Sequence, residues 1–146
     1  MHDVKVHLYT TDLSGLQLVD RVNSSIAISC LILPVNRRGS SKISPLEDQK
    51  DIPIIWHNRG EDLPKDLPPA SAGISWMYSQ IISNADLERY PLGILNMHGG
   101  CIPEYRGANV LQWAIINGET QIGVTWHQIN EKVDAGPIWA EHKIEI

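Results

Sequence analysis

The run Ile26-Ala27-Ile28-Ser29-Cys30-Leu31-Ile32-Leu33 is apolar apart from one serine hydroxyl. A strand with one face in water alternates apolar and polar residues, so an unbroken run of this kind reads as a strand buried on both faces, the mark of a parallel sheet covered by helices. The flanking sequence agrees. Residues 4–9, 52–56, 72–76 and 93–97 read as further strands, and residues 16–22 as a helix after the Ser14-Gly15 turn. Asn84 is expected to cap a short helix running to Tyr90, and residues 109–116 form another, ended by Asn117-Gly118. Residues 122–129 and 138–146 are expected to pair as strands, with Asp134 in their connecting loop. The expectation is an α/β fold, an open, mainly parallel sheet flanked by helices, in a single domain over residues 1–146.

Two segments between these elements read as connections. Residues 36–49 are polar and contain Arg37-Arg38-Gly39-Ser40-Ser41-Lys42, which is expected to be a mobile loop near the ligand edge. Residues 62–69 carry Pro64, Pro68 and Pro69 and read as a linker. The five tryptophans, Trp56, Trp76, Trp113, Trp126 and Trp139, are expected to serve mostly in the core. Trp113 stands at helical spacing from Val110 and Ile116 and reads as a packing residue.

The fifth strand ends in Asn96-Met97-His98 and breaks at Gly99-Gly100. Strand side chains alternate, so Asn96 and His98 emerge on one face, at the carboxyl edge where open α/β sheets bind ligands. An amide donor beside an imidazole can stabilise an oxyanion as a carbonyl carbon becomes tetrahedral. Asp134 lies 36 residues beyond His98 in Val133-Asp134-Ala135-Gly136. It is expected to orient the imidazole for hydrogen bonding or proton transfer. Neither Ser75 nor Ser79 sits in a Gly-x-Ser-x-Gly turn, so the nucleophile is expected to belong to the substrate: an amine attacking an acyl carbon.

Other readings of the same residues are weaker. His98, Cys101, His127 and Asp134 include metal-ligand types, but no His-x-x-His or Cys-x-x-Cys pair fixes a geometry, and no metal is expected. His-Gly-Gly-Cys is like the oxyanion loop of some esterases but lacks its nucleophile elbow. Arg106 has two equal readings, anchoring its own loop through backbone carbonyls or contacting substrate.

The run from Tyr90 through Asn96-Met97-His98-Gly99-Gly100-Cys101-Ile102-Pro103-Glu104-Tyr105-Arg106-Gly107 to Asn109 resembles the signature of folate-dependent formyltransferases. Gln112 to Glu119, then Gly123-Val124-Thr125 and Val133-Asp134-Ala135-Gly136, continue the likeness. Residues 72–146 are covered closely and residues 1–71 only in general layout. The pattern is most similar to the domain that formylates aminoarabinose for lipid A, to sugar N-formyltransferases and to methionyl-tRNA formyltransferase. The resemblance implies a Rossmann-like sheet whose C-terminal strand pair carries the catalytic Asp134, with 10-formyltetrahydrofolate as co-substrate. It further implies Asn96, His98 and Asp134 as catalytic residues. Trp76, Met77, Tyr78, Ser79, Gln80, Ile81 and Ile82, with Asn130, Glu131, Lys132 and Val133, would hold the pterin. Gly99, Gly100, Tyr105 and Arg106 would meet the acceptor. Domains of this family usually continue with a helix covering the sheet, whereas this sequence stops at Ile146, so a truncated domain is one expectation. The Thr10 to Gly15 turn has one glycine where some relatives carry a glycine-rich phosphate loop, which argues against phosphate binding there.

Charge narrows the acceptor. A formal net charge of −5 argues against a phosphate-tracking surface for nucleic acid, while Arg37, Arg38 and Lys42 offer a local anion cluster. The expected acceptor is therefore a small, anionic primary amine, first a nucleotide-linked amino sugar. Methionyl-tRNA is the alternative, and a folate-binding module without turnover is another. Two cysteines without a disulfide framework and the lack of an eighteen-residue apolar stretch point to a cytoplasmic protein, with no membrane partner and homo-oligomer formation left open.

Overall fold

The computed structural model describes residues 4–22, 26–49 and 51–146. The chain divides into two compact units, one ending at Ile94 and one running from Leu95 to Ile146.

The first unit is built on four parallel strands, β1 (Val4–Thr10), β2 (Ile26–Pro34), β3 (Ile54–His57) and β4 (Ala72–Trp76), in the order β3-β2-β1-β4. Leu31, Ile32 and Leu33 are consecutive and fully buried, as a strand covered on both faces requires. Helix α1 (Ser14–Val22) begins where the Asp12 carboxylate accepts from the Ser14 backbone N–H at 2.9 Å. Its Leu16 and Val19, three residues apart, pack with Leu8, Leu31, Leu33, Ile43 and Leu46 into one core. Ile43 and Leu46 correct the reading of residues 36–49 as a polar loop. That stretch folds as a 3-10 turn at Val35–Arg37 and a short helix α2 (Ser44–Glu47), and it closes the core with two wholly buried side chains.

Helix α3 (Asn84–Leu87) starts one residue earlier than expected: Ser83 is its cap, with the side chain accepting from the Asp86 N–H at 3.2 Å. Asp86 is buried and accepts from the Leu63 N–H through both carboxylate oxygens, at 3.1 and 3.2 Å, and pairs with Arg89 at 3.0 Å. Beneath it runs a buried chain of polar rings. His7 Nε2 donates to the Pro68 carbonyl, leaving Nδ1 to accept from Tyr90 Oη at 2.7 Å, and Tyr90 in turn meets Tyr9 Oη at 2.7 Å. Burial, and secondarily the Arg89 charge, hold the His7 imidazole below its ordinary value against the Pro68 bond, so it stays neutral in this chain.

One glycine of the sheet has a packing reason. A Cβ at Gly73 would fall 2.8 Å from Ile94 Cγ1 and 3.1 Å from Ile94 Cγ2, branch atoms that cannot swing aside. Gly73→Ala is expected to cost about 1–3 kcal/mol by overpacking. Urea unfolding checks this as a lower midpoint with an unchanged m-value; a midpoint equal to that of the parent would mean the sheet yields without cost.

The second unit contains β5 (Ile94–His98) from Leu95 onward, α4 (Val110–Ile116), β6 (Gln121–Gln128) and β7 (Ile138–Glu145), with antiparallel pairing in the order β5-β6-β7. Helix α4 turns Val110 and Ala114 inward onto Ile122. Its Leu111, Trp113, Ile115 and Ile116 are exposed, so Trp113 is not the packing residue that its spacing suggests. Trp139 is 68 % exposed as well, and none of the five tryptophans is fully buried. Gly118 ends the helix at positive φ, as the Asn117-Gly118 pair predicts. Among the described residues no helix is long and apolar enough to cross a membrane.

Candidate active site

Antiparallel pairing of β5 with β6 sets Asn96 directly opposite His127, and His98 directly opposite Thr125. Residues facing each other across such a pair share a sheet face, so the alternation Asn96-x-His98 is answered by Thr125-x-His127. Asn96 Nδ2 lies 3.1 Å from His127 Nε2. His127 Nδ1 donates to the Gln128 carbonyl at 3.1 Å, so a neutral His127 has a bare Nε2 that accepts from the Asn96 amide. In that tautomer the nitrogen end of the amide faces the imidazole.

Asp134 enters from the loop between β6 and β7. That loop is tight: Lys132 N–H bonds the Asn130 side-chain oxygen at 3.0 Å, Asp134 adopts φ of 46°, and a Cβ on Gly136 would fall 1.7 Å from the Gln128 carbonyl oxygen. The carboxylate then spans two imidazoles, with Oδ2 3.5 Å from His98 Nδ1 and Oδ1 3.4 Å from His127 Nε2. Oδ2 also accepts the Gly107 N–H at 2.8 Å. Burial raises the carboxyl's proton affinity, but the His127 contact, the Gly107 bond and the positive potential of the two imidazoles outweigh it. Asp134 is held below the ordinary carboxylate value. Asn96 and Asp134 therefore approach the same nitrogen of His127. If that nitrogen carries a proton it donates to Asp134, and the amide must turn to present its oxygen.

His98 is 8 % exposed, and its Nε2 donates to the Tyr105 carbonyl at 2.6 Å. The anchor leaves Nδ1 facing the Asp134 carboxylate at 3.5 Å, so that a group placed beside the pair can reach both. Gly100 makes the anchor geometrically possible. A Cβ there would stand 2.7 Å from the Tyr105 carbonyl oxygen and 3.1 Å from His98 Nε2, whereas Gly99 has open space beside it. Arg106 donates through Nε to the Asp134 carbonyl at 2.9 Å, the loop-anchoring reading of that residue. The Tyr105 hydroxyl donates to Glu119 at 2.8 Å and accepts from Asn117 at 3.1 Å.

The structure thus brings Asn96, His98 and Asp134 together and adds His127, which sequence reasoning had weighed only as a metal-ligand type. Cys101 stands apart from them, its sulfur where a Gly123 side chain would be, and burial, with help from Glu141, raises its thiol's proton affinity. The signal for His127 was present in the Thr125-x-His127 alternation, once β6 is paired with β5 as well as with β7.

The two expected pterin segments are described each in its own unit. In Trp76–Ile82 the Tyr78 to Ile82 N–H groups meet no backbone acceptor among the described residues. Gln80 Oε1 is buried without a partner while its amide nitrogen reaches the His57 carbonyl at 3.5 Å. Met77 and Ile81 are exposed. Open backbone donors, an orphaned acceptor and flanking apolar chains fit a flat heterocycle with a polar edge. In Asn130 to Val133, Val133 is exposed and Asn130 closes its own turn.

Comparison with known structures agrees with the fold. Glycinamide ribonucleotide transformylase 1 of Geobacillus kaustophilus superposes with a TM-score of 0.77 at 20 % identity, covering 99 % of this chain and 84 % of that one. The phosphoribosylglycinamide formyltransferase of Anaplasma phagocytophilum gives 0.79 at 20 % identity, covering 99 % and 73 %. A formyltetrahydrofolate deformylase of Pseudomonas syringae pv. tomato gives 0.75 at 24 % identity, covering 99 % and 52 %. At these identities the likeness establishes the architecture, the open, mainly parallel Rossmann-like α/β sheet. Family membership rests on sequence: the formyl transferase model matches residues 65–146, more than half of the chain and all of the Asn96, His98, His127 and Asp134 cluster, and the chain belongs to the formyl transferase family.

Proposed function

We propose that this chain, acting as one catalytic domain over residues 1–146, moves the formyl group of 10-formyltetrahydrofolate onto the primary amine of a nucleotide-linked amino sugar. The observation that carries the reading is the cluster itself: a strand-end amide and imidazole, with a carboxylate 3.5 Å from the imidazole. It holds donors and a proton acceptor but no nucleophile of its own, which suits an amine that arrives with the acceptor.

The folate supplies an activated formyl carbonyl. Asn96, held by His127, offers an amide N–H to the oxygen of that carbonyl as it gains negative charge. His98 Nδ1 and Asp134 flank the position from which the amine's proton must leave, and Asp134, ionised at neutral pH, takes or relays it. Asn96, His98 and Asp134 are the catalytic residues of this proposal, and His127 is a positioning residue. Residues 76–82 in the first unit and residues 130–133 in the second are the pterin-contact segments of this reading, and Gly99 with Tyr105 and Arg106 borders the acceptor. The net charge of −5 favours a small acceptor over tRNA.

The test is tetrahydrofolate release against a panel: a nucleotide-linked amino sugar, glycinamide ribonucleotide, methionyl-tRNA, and no acceptor. Release that depends on the amino sugar is the expected result. Release driven by glycinamide ribonucleotide or the tRNA would replace the acceptor while keeping the chemistry. Release without any acceptor would make the reaction a hydrolysis, and saturable folate binding with no release under any condition would reduce the chain to a binding module.

A further inference from the structure

We propose that β7 is a self-pairing edge through which two copies of this chain form a two-fold dimer, with His142 of each copy at the axis and Glu141 of one facing Lys143 of the other. All eight residues of β7 are exposed, and among the described residues the strand pairs with β6 on one side only. An exposed edge strand presents a row of unpaired backbone donors and acceptors, a template for another strand.

The backbone alternation says which groups face outward. Ile146 N–H donates to the Thr120 carbonyl at 3.0 Å, and the register continues from there with Ile144 opposite Ile122 and His142 opposite Val124. In an antiparallel ladder the hydrogen-bonded pairs alternate, so Ile146, Ile144, His142 and Ala140 direct their backbone groups to β6. Glu141, Lys143 and Glu145 direct theirs to the open edge. The register shift between Trp126 and His127 breaks this alternation near Trp139, which bounds the available edge at that end.

Charge then narrows the register to two, and the length of β7 that is paired separates them. Outward-facing backbone groups meet each other only when the two-fold axis lies at one of the residues of the edge. An axis at Glu141 sets glutamate against glutamate. An axis at Lys143 sets lysine against lysine and Glu141 against Glu145. An axis at Ile144 sets Lys143 against Glu145 twice but opposes only residues 143–145 of β7 to one another, whereas an axis at His142 pairs residues 139–145. An axis at His142 sets Glu141 against Lys143 twice, with Ala140 against Ile144 on the other face of the sheet. Opposite charges facing each other across a strand pair stabilise it and like charges oppose it, so the sequence Glu141-His142-Lys143 is complementary to itself. Ile144, 48 % exposed in the single chain, loses water contact in that arrangement.

Sedimentation velocity of the 146-residue chain over about 1–200 µM tests the proposal, with circular dichroism confirming that each variant is folded. The parent should show a monomer–dimer equilibrium. Lys143→Glu places glutamate against glutamate at both contacts and should raise the dissociation constant about tenfold or more. The double variant Glu141→Lys, Lys143→Glu restores both pairs in reverse and should recover the parent value. Lys143→Pro removes an outward N–H that β6 does not use, and should give a folded monomer. A parent that stays monomeric across the range would overturn the proposal. So would a dimer indifferent to Lys143→Glu and Lys143→Pro, a double variant that fails to recover, or an assembly larger than two.

Discussion

Asp134→Asn is expected to lower turnover about a hundredfold or more while leaving the chain folded. Asparagine has the shape of aspartate and tolerates the positive φ of 46° at this position better than most residues do. Its side-chain oxygen can still accept the Gly107 N–H, and its amide nitrogen takes the place of the carboxylate oxygen that faces His127. What disappears is the negative charge opposite His98 Nδ1, and with it the group proposed to receive the amine's proton. A variant with parent turnover would remove Asp134 from the reaction.

The same substitution has a signature in stability that does not involve catalysis. Because the folded state holds the Asp134 carboxyl below its ordinary value of 3.8, its ionised contacts stabilise the fold above that pH. The contribution is lost progressively as the pH falls through 3.8 towards the depressed folded value. The gap in urea midpoint between parent and Asp134→Asn should therefore narrow from pH 6 to the most acidic pH at which both fold. A gap that widens in acid would mean that the carboxyl is raised, with burial winning over the two histidines.

Much of this site was legible because it sits where periodicity is strict. Asn96 and His98 are two apart on one strand, and Asp134 lies in a loop whose flanking strands were readable from their apolar runs. His127 was not, because its meaning depends on which strand lies beside which, a tertiary fact that the residues near it do not carry. The α4 face failed for a related reason. Val110, Leu111, Trp113, Ala114, Ile115 and Ile116 are apolar on every side, and only the packing against Ile122 decides that Val110 and Ala114 face inward. Residues 36–49 show the reverse case, in which two apolar residues, Ile43 and Leu46, outweigh a polar composition because a single helical turn aligns them with the core.

The largest loss of activity is expected from Asn96→Ala and His98→Ala, each cutting turnover about a hundred- to a thousandfold, the usual cost of one oxyanion donor or proton-transfer group. The two should differ in what else they disturb. Asn96→Ala removes the donor to His127 Nε2, which then pairs with the Asp134 carboxylate 3.4 Å away by taking a proton on that nitrogen, and the variant should keep the fold. His98→Ala leaves the Tyr105 carbonyl without its 2.6 Å donor, next to Gly100, and should loosen the 99–107 loop as well as remove the imidazole. Folate affinity, measured by calorimetry with a non-transferable analogue, should stay within about threefold of the parent in Asn96→Ala, because a group that acts only on the developing charge contributes little to ground-state binding. The combined variant should be no slower than about the worse single one if the two groups serve one transition state, as members of a unit do not add. Parent-like turnover in Asn96→Ala would place the reacting carbonyl away from this strand end. Full additivity in the combined variant would separate Asn96 and His98 into different steps of the reaction.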